Sequence, residues 1–156
     1  MDDDAILARL FELGIELPPP PTALAAYMPC VVHGGLAVVA GQVPMPGGTL
    51  LHPGHLGDRV TIDEGAEAAR HAALQALSAL RAGLGSFDRL ARLLQVTVFV
   101  ASTPDFVDHP TVANGASDLL VEVLGDDGRH ARAAVGVASL PLGASVEVTV
   151  IAAVAG

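Results

Sequence analysis

With 156 residues, 51% of them hydrophobic, the chain is long enough for one domain with a substantial core, and no uninterrupted apolar run approaches the ~18 residues of a membrane span. Its formal charge is −9, from 17 Asp+Glu against 8 Lys+Arg, and every cation is arginine. Without clustered cations, nucleic acid is disfavoured as a partner, and without lysine there is no Schiff-base or pyridoxal-phosphate chemistry.

Residues 2–13 read as a helix. Three aspartates open it, where the helix dipole favours negative charge, and Ile6, Leu10 and Leu13 form one apolar face with Leu7 and Phe11 beside it. Gly14 supplies the stop. Leu17-Pro18-Pro19-Pro20-Pro21 must be extended and polyproline-like. Two apolar runs, 28–32 and 36–42, flank His33-Gly34-Gly35 and predict a hairpin. Residues 44–58 are rich in Pro and Gly and form a long loop, of the length that is often functional.

Thr61 and Glu64 form a capping box that opens a helix running to about Arg81, with Ala66, Ala69, Ala73, Leu77, Leu80 and Leu84 as its buried stripe. Residues 93–101 are β-branched and alternate, as a strand does. Residues 109–124 predict another helix, with Pro110 in its first turn. Two further strands, 131–138 and 144–154, follow. In the last, Val146, Val148 and Val150 face one way and Ser145, Glu147 and Thr149 the other.

The order helix, β, β, α, β, α, β, β predicts a single α+β domain: a two-layer sandwich of a mixed β-sheet with two main helices on one face. Residues 1–26 would be an N-terminal helix and proline-rich arm attached to it. Two helices cover one face of the sheet, so the apolar second face needs cover, and self-association supplies it. The acidic start and the single cysteine, Cys30, fit the cytoplasm.

Several residues could carry chemistry. Arg132 opens an apolar strand, and a buried charge there needs a partner. Two readings follow: a structural ion pair with an acid such as Glu147, or a two-pronged grip on a substrate carboxylate. Glu147 stands among valines, either as a solvated acid or as a group that orients or deprotonates a water. Asn114 lies near the start of the second long helix, exposed or donating to a ligand. Tyr27 follows the proline arm, packing with its hydroxyl in water. His52 and His55 form an H-x-x-H pair, but nothing completes a ligand set, so no metal is expected. Cys30 reads as a small core residue. Phosphate loops, nucleophile elbows and dinucleotide fingerprints are missing, so no cofactor is expected.

Five blocks carry a resemblance. Ala40-Gly41-Gln42-Val43-Pro44, Val96-Thr97-Val98-Phe99-Val100 and Val112 to Asn114 come first. Ala131-Arg132-Ala133-Ala134-Val135-Gly136-Val137 with Leu140-Pro141, then Val146-Glu147-Val148, complete the set. Over residues 27–154 the chain resembles the RidA/YjgF family, also known as endoribonuclease L-PSP/chorismate mutase-like. The last two blocks together are the specific part of the signal. Ala40 stands where the family usually has serine or threonine, Ala134 where some relatives have cysteine, and residues 107–110 are lengthened.

The resemblance implies a chorismate mutase-like sandwich assembled as a homotrimer, with clefts between subunits. It further implies that Arg132 binds the carboxylate of a 2-imino or enamine acid and that Glu147 positions the attacking water. Tyr27, Gly41 and Asn114 would line the pocket. The implied reaction is hydrolytic deamination to a 2-oxo acid and ammonia. Rival readings are a non-catalytic protein that binds or senses a small carboxylate metabolite, an endoribonuclease as the family label has it, and a chorismate rearrangement by analogy of fold.

Overall fold

The computed structural model describes residues 1–22 and 25–156. Residues 23 and 24 of the proline-rich arm lie outside the described residues.

Helix α1 (Asp3–Glu12) is capped by Asp2, whose carboxylate accepts from the Ala5 N–H at 2.8 Å. Ile6 and Leu10 enter the core, whereas Phe11 is 85% exposed, because one residue further on lies about 100° round the helix. Asp3 does more than meet the dipole. Its carboxylate accepts two bonds from the Arg81 guanidinium, at 2.9 and 2.7 Å, and one from the Phe87 N–H at 2.8 Å. The arginine holds the Asp3 carboxyl below the usual carboxylate range and ties α1 to the far end of the long helix.

Strands β1 (Cys30–His33) and β2 (Leu36–Gln42) form the expected antiparallel hairpin, and Gly34 and Gly35 both take positive φ, as its two-residue turn requires. Helix α2 (Ile62–Leu84) starts at the capping box of Thr61 and Glu64 and runs one turn past Arg81. Its buried stripe is wider than the single row expected: Ala68, Ala69, Ala72, Ala73 and Ala76 are all covered, while Ala66 is half-buried. The helix meets the sheet on one side, helix α3 (His109–Leu124) on another, and the proline arm on a third. Strand β3 (Leu90–Ala101) begins three residues before position 93, where register irregularities at 90–95 interrupt the alternation that marks the rest.

Strands β4 (Ala131–Val137) and β5 (Val146–Val154) complete a five-stranded sheet of order β1-β2-β5-β3-β4. The β3–β4 pairing is parallel and the others are antiparallel. Val96, Val98, Val100, Val146, Val148 and Val150 face the helices and are buried. Ser145 departs from the expected outward row: it precedes the strand and is fully buried. The second sheet face has no cover among the described residues. Val31, Leu36, Val38 and Val135 on it are 51, 41, 47 and 41% exposed. No helix among the described residues is long and apolar enough to cross a membrane.

Candidate functional site

The expected site residues fall into two groups on opposite sides of the sheet. Strand register decides this. Arg132 pairs with Val96 and therefore points to the helix side, whereas Glu147 pairs with Phe99 and points to the open side. Their strands flank β3, which separates them by two strand spacings, about 9.5 Å, before the sheet itself is crossed. The reading of Arg132 and Glu147 as an ion pair within the chain is thereby overturned.

Arg132 lies on edge strand β4, exposed, with helix α3 beside it. Its Nη1 donates to Asn114 Oδ1 at 2.8 Å and to Ser117 Oγ at 3.2 Å. Asn114 and Ser117 are three apart on α3 and so share a helix face. Asn114 thus accepts from the arginine rather than standing free. Behind Ser117 is His130, whose Nε2 lies 3.0 Å from Ser117 Oγ and whose Nδ1 lies 2.6 Å from the Gly128 carbonyl. A carbonyl only accepts, so Nδ1 carries the proton and Nε2 accepts from the Ser117 hydroxyl. Burial, and next the charge of Arg132, push the His130 pKa down, against the opposing pull of the Gly128 bond. The ring stays neutral, and the relay His130–Ser117–Arg132 holds one corner of the guanidinium. Its Nε and Nη2 have no hydrogen-bond partner among the described residues, and the side chain borders a groove of about 560 Å³.

Glu147 occupies the other group. Between the pairs Val39↔Val150 and Gln42↔Val148, β2 has two residues, Ala40 and Gly41, where β5 has only Thr149. This is a β-bulge, closed by the buried Gln42 side chain, whose Nε2 donates to the Ala40 carbonyl at 2.9 Å. The bulge turns Gly41 toward β5, where any Cβ would overlap the Glu147 carboxylate. Glu147 is half-buried and makes neither an ion pair nor a hydrogen bond among the described residues, and burial alone pushes its carboxyl above the ordinary range. It borders a cleft of about 1000 Å³ with Tyr27, Gly41 and the proline arm. Tyr27 is 50% exposed there.

The remaining candidates turn elsewhere. His52 Nε2 lies 2.6 Å from Glu67, and His55 Nε2 lies 2.8 Å from the Ala138 carbonyl, so the H-x-x-H pair does not converge. Cys30 packs against Gly83 in the core, and burial pushes its thiol pKa up. Ser117 and His130 were not singled out from the sequence. The signal available was weak: a serine three residues after Asn114 on one helix face, and a histidine two before Arg132.

Known proteins resemble this chain over nearly its whole length. The family described as "YjgF/chorismate mutase-like, putative endoribonuclease" matches residues 7–154. Protein TCP17 of Trypanosoma cruzi is 47% identical over 146 residues, covering 92% of this chain and 90% of its own. The crystal structure of Atu1372, a protein of unknown function from Agrobacterium tumefaciens, is 42% identical with a TM-score of 0.91, over 98% of this chain and 94% of its own. A "putative endoribonuclease" from Shewanella oneidensis is 33% identical with a TM-score of 0.91, over 95% of this chain and 98% of its own.

Proposed function

The chain belongs to the YjgF/chorismate mutase-like family, and from that premise we propose that it hydrolyses reactive 2-imino or enamine acids to 2-oxo acids and ammonia, in a cleft shared by two subunits of a homotrimer. The observation that carries this reading is the unpartnered Glu147 carboxylate, desolvated on an open sheet face, while the Arg132 fork lies across the sheet. One protomer cannot bring the two together. A ring of subunits can, because a heterologous interface sets one surface of the chain against a different surface of the next copy. The exposed Val31, Leu36, Val38 and Val135 give such an interface its apolar area.

The reaction asks little of the protein. Nε and Nη2 of Arg132 grip the substrate carboxylate in two-pronged fashion and fix the imine carbon in place. Glu147 takes a proton from a water as its oxygen bonds to that carbon. That proton passes to the nitrogen to give a carbinolamine. Glu147 then carries the hydroxyl proton to the same nitrogen as the carbonyl forms and the carbon–nitrogen bond breaks, and the 2-oxo acid and ammonia leave. A carboxyl pKa raised by burial makes Glu147 a stronger base than a solvated glutamate. Tyr27, Gly41 and Asn114 line and support the pocket. Sensing of a small carboxylate is the rival, since the same clamp serves it. Ribonuclease action fits poorly with a charge of −9 and no lysine.

The test generates a 2-imino acid in place with an amino-acid oxidase and follows its loss and the release of ammonia. Loss should run well above the rate in buffer and scale with protein concentration. If the protein binds the 2-oxo acid yet imine disappears no faster than in buffer, the sensing reading replaces this one. Sedimentation at micromolar concentration should give a trimer, and a stable monomer would remove the shared cleft.

A further inference from the structure

The N-terminal arm reaches the Glu147 cleft, far from the helix it follows. Ser78, buried in α2, donates to the Pro18 carbonyl at 2.5 Å, and Gln75 Nε2 donates to the Pro19 carbonyl at 3.2 Å. Those bonds fasten an extended polyproline segment to α2, and Pro18 and Pro19 then form one wall of the cleft. Met45 from the long loop and Leu142 from the turn before β5 form further walls. Among the described residues lining the cleft, Glu147 is the one charged side chain.

Leu142 is the telling residue. It is 73% exposed and holds a φ of 62°, in the left-handed region that a bulky side chain rarely adopts. Glycine would sit there without strain. Residues held in such conformations cluster at ligand clamps, where the strain serves binding. A large apolar side chain, strained and presented to the mouth of an apolar cleft, has a use if something apolar lies against it.

We propose that the cleft selects 2-imino acids with bulky apolar side chains, of the size derived from leucine, methionine or phenylalanine, through a wall made by Pro18, Pro19, Met45 and Leu142. This rests on the proposed function above, which sets the carboxylate and imine at Arg132 and Glu147 and leaves the side chain to the rest of the cleft. The polyproline wall is already extended and fastened, so the substrate does not have to order it on binding.

The experiment compares the full-length parent and Leu142→Gly, with imines generated from leucine and from alanine, and in parallel measures affinity for the two matching 2-oxo acids. Leu142→Gly relieves backbone strain, so the variant keeps its fold. The parent should favour the leucine-derived compound by about tenfold or more, and Leu142→Gly should reduce that ratio by about tenfold, the size of effect one apolar contact gives. Equal treatment of the two compounds by the parent, or a ratio that Leu142→Gly leaves unchanged, overturns the selectivity. A leucine preference in oxo-acid affinity that Leu142→Gly lowers, without imine hydrolysis, removes the deaminase reading and supports the selectivity. Binding of neither oxo acid, with hydrolysis of neither imine, overturns both.

Discussion

Arg132 and Glu147 sit on one sheet and are prepared in opposite ways. The arginine is held: Asn114 and Ser117 fix one corner of its fork, and a neutral His130 stands behind the serine. The glutamate is desolvated and unpaired among the described residues, with a glycine opened beside it. A binding group profits from being fixed, because its fork must meet two oxygens at once. A base profits from having no partner, because an ion pair would depress its pKa and occupy its oxygens. Under the proposed function the contrast assigns the grip to Arg132 and the reaction to Glu147, and each half of it can be broken separately.

The largest effect is expected at the reacting half. Glu147→Gln keeps the shape but cannot accept a proton, so kcat should fall by about 10²–10⁴ while affinity for a 2-oxo acid survives. Stopped-flow turnover and calorimetric binding check the split, and an equal loss in both would return Glu147 to a structural role. The sign of the pH effect follows from the raised native pKa. Between the ordinary carboxylate value and the raised one, the native state holds a proton that the unfolded chain has released. Stability therefore declines as pH rises through that window. Glu147→Gln should remove this decline, giving a melting temperature above the parent's at neutral pH, with the difference closing in acid. A variant that melts below the parent at neutral pH would contradict the burial argument.

Gly41→Ala comes next. Its methyl group would displace the carboxylate without touching the core, so turnover should drop by about 10²-fold, the usual result of misplacing a catalytic group by an ångström. Melting should hold near the parent's value, and unchanged turnover would show that the close approach to Gly41 has no catalytic consequence.

The smallest effect belongs to the gripping half. His130→Ala takes away the acceptor for Ser117 and loosens the relay, which should raise KM about fivefold and leave kcat near its parent value, the worth of one neutral hydrogen bond. Because burial depresses the native His130 pKa, the unfolded chain binds the proton first as pH falls below the ordinary histidine value. The parent therefore loses stability through that range, and His130→Ala should flatten the slope. A fall in kcat instead of a rise in KM would mean that His130 acts on the reaction itself.

Much of the scaffold was legible in the sequence because periodicity reports it. The capping box at Thr61, the Gly34-Gly35 turn and the alternating valines of β5 each have one physical reading, and the structure carries all three. The start of β3 was not legible, since register shifts erase alternation there. Arg132, Glu147, Gly41 and Asn114 stand out through motif blocks and Tyr27 through its place after the proline arm, but the division of Arg132 and Glu147 between sheet faces needs strand register, which no local pattern contains. The relay through Ser117 and His130 depends on α3 lying beside β4, a long-range contact. The proline arm's place in the cleft depends on Ser78 and Gln75 in a distant helix. The arginine–glutamate pair failed as an intrachain bridge because residues an odd number of register steps apart face opposite ways.

The central claim is that Arg132 of one subunit works with Glu147 of another, and mixed assemblies test it most directly. Arg132→Lys, which loses the planar fork, and Glu147→Gln should each be nearly inactive alone. The two are denatured, mixed in equal amounts and refolded, and imine turnover is measured. In randomly mixed rings, about a quarter of the clefts pair an intact Arg132 with an intact Glu147, so activity should return to about a quarter of the parent's. Were both residues drawn from the same subunit, every cleft in every mixture would carry one damaged partner. A refolded mixture no more active than either variant alone would contradict the shared cleft.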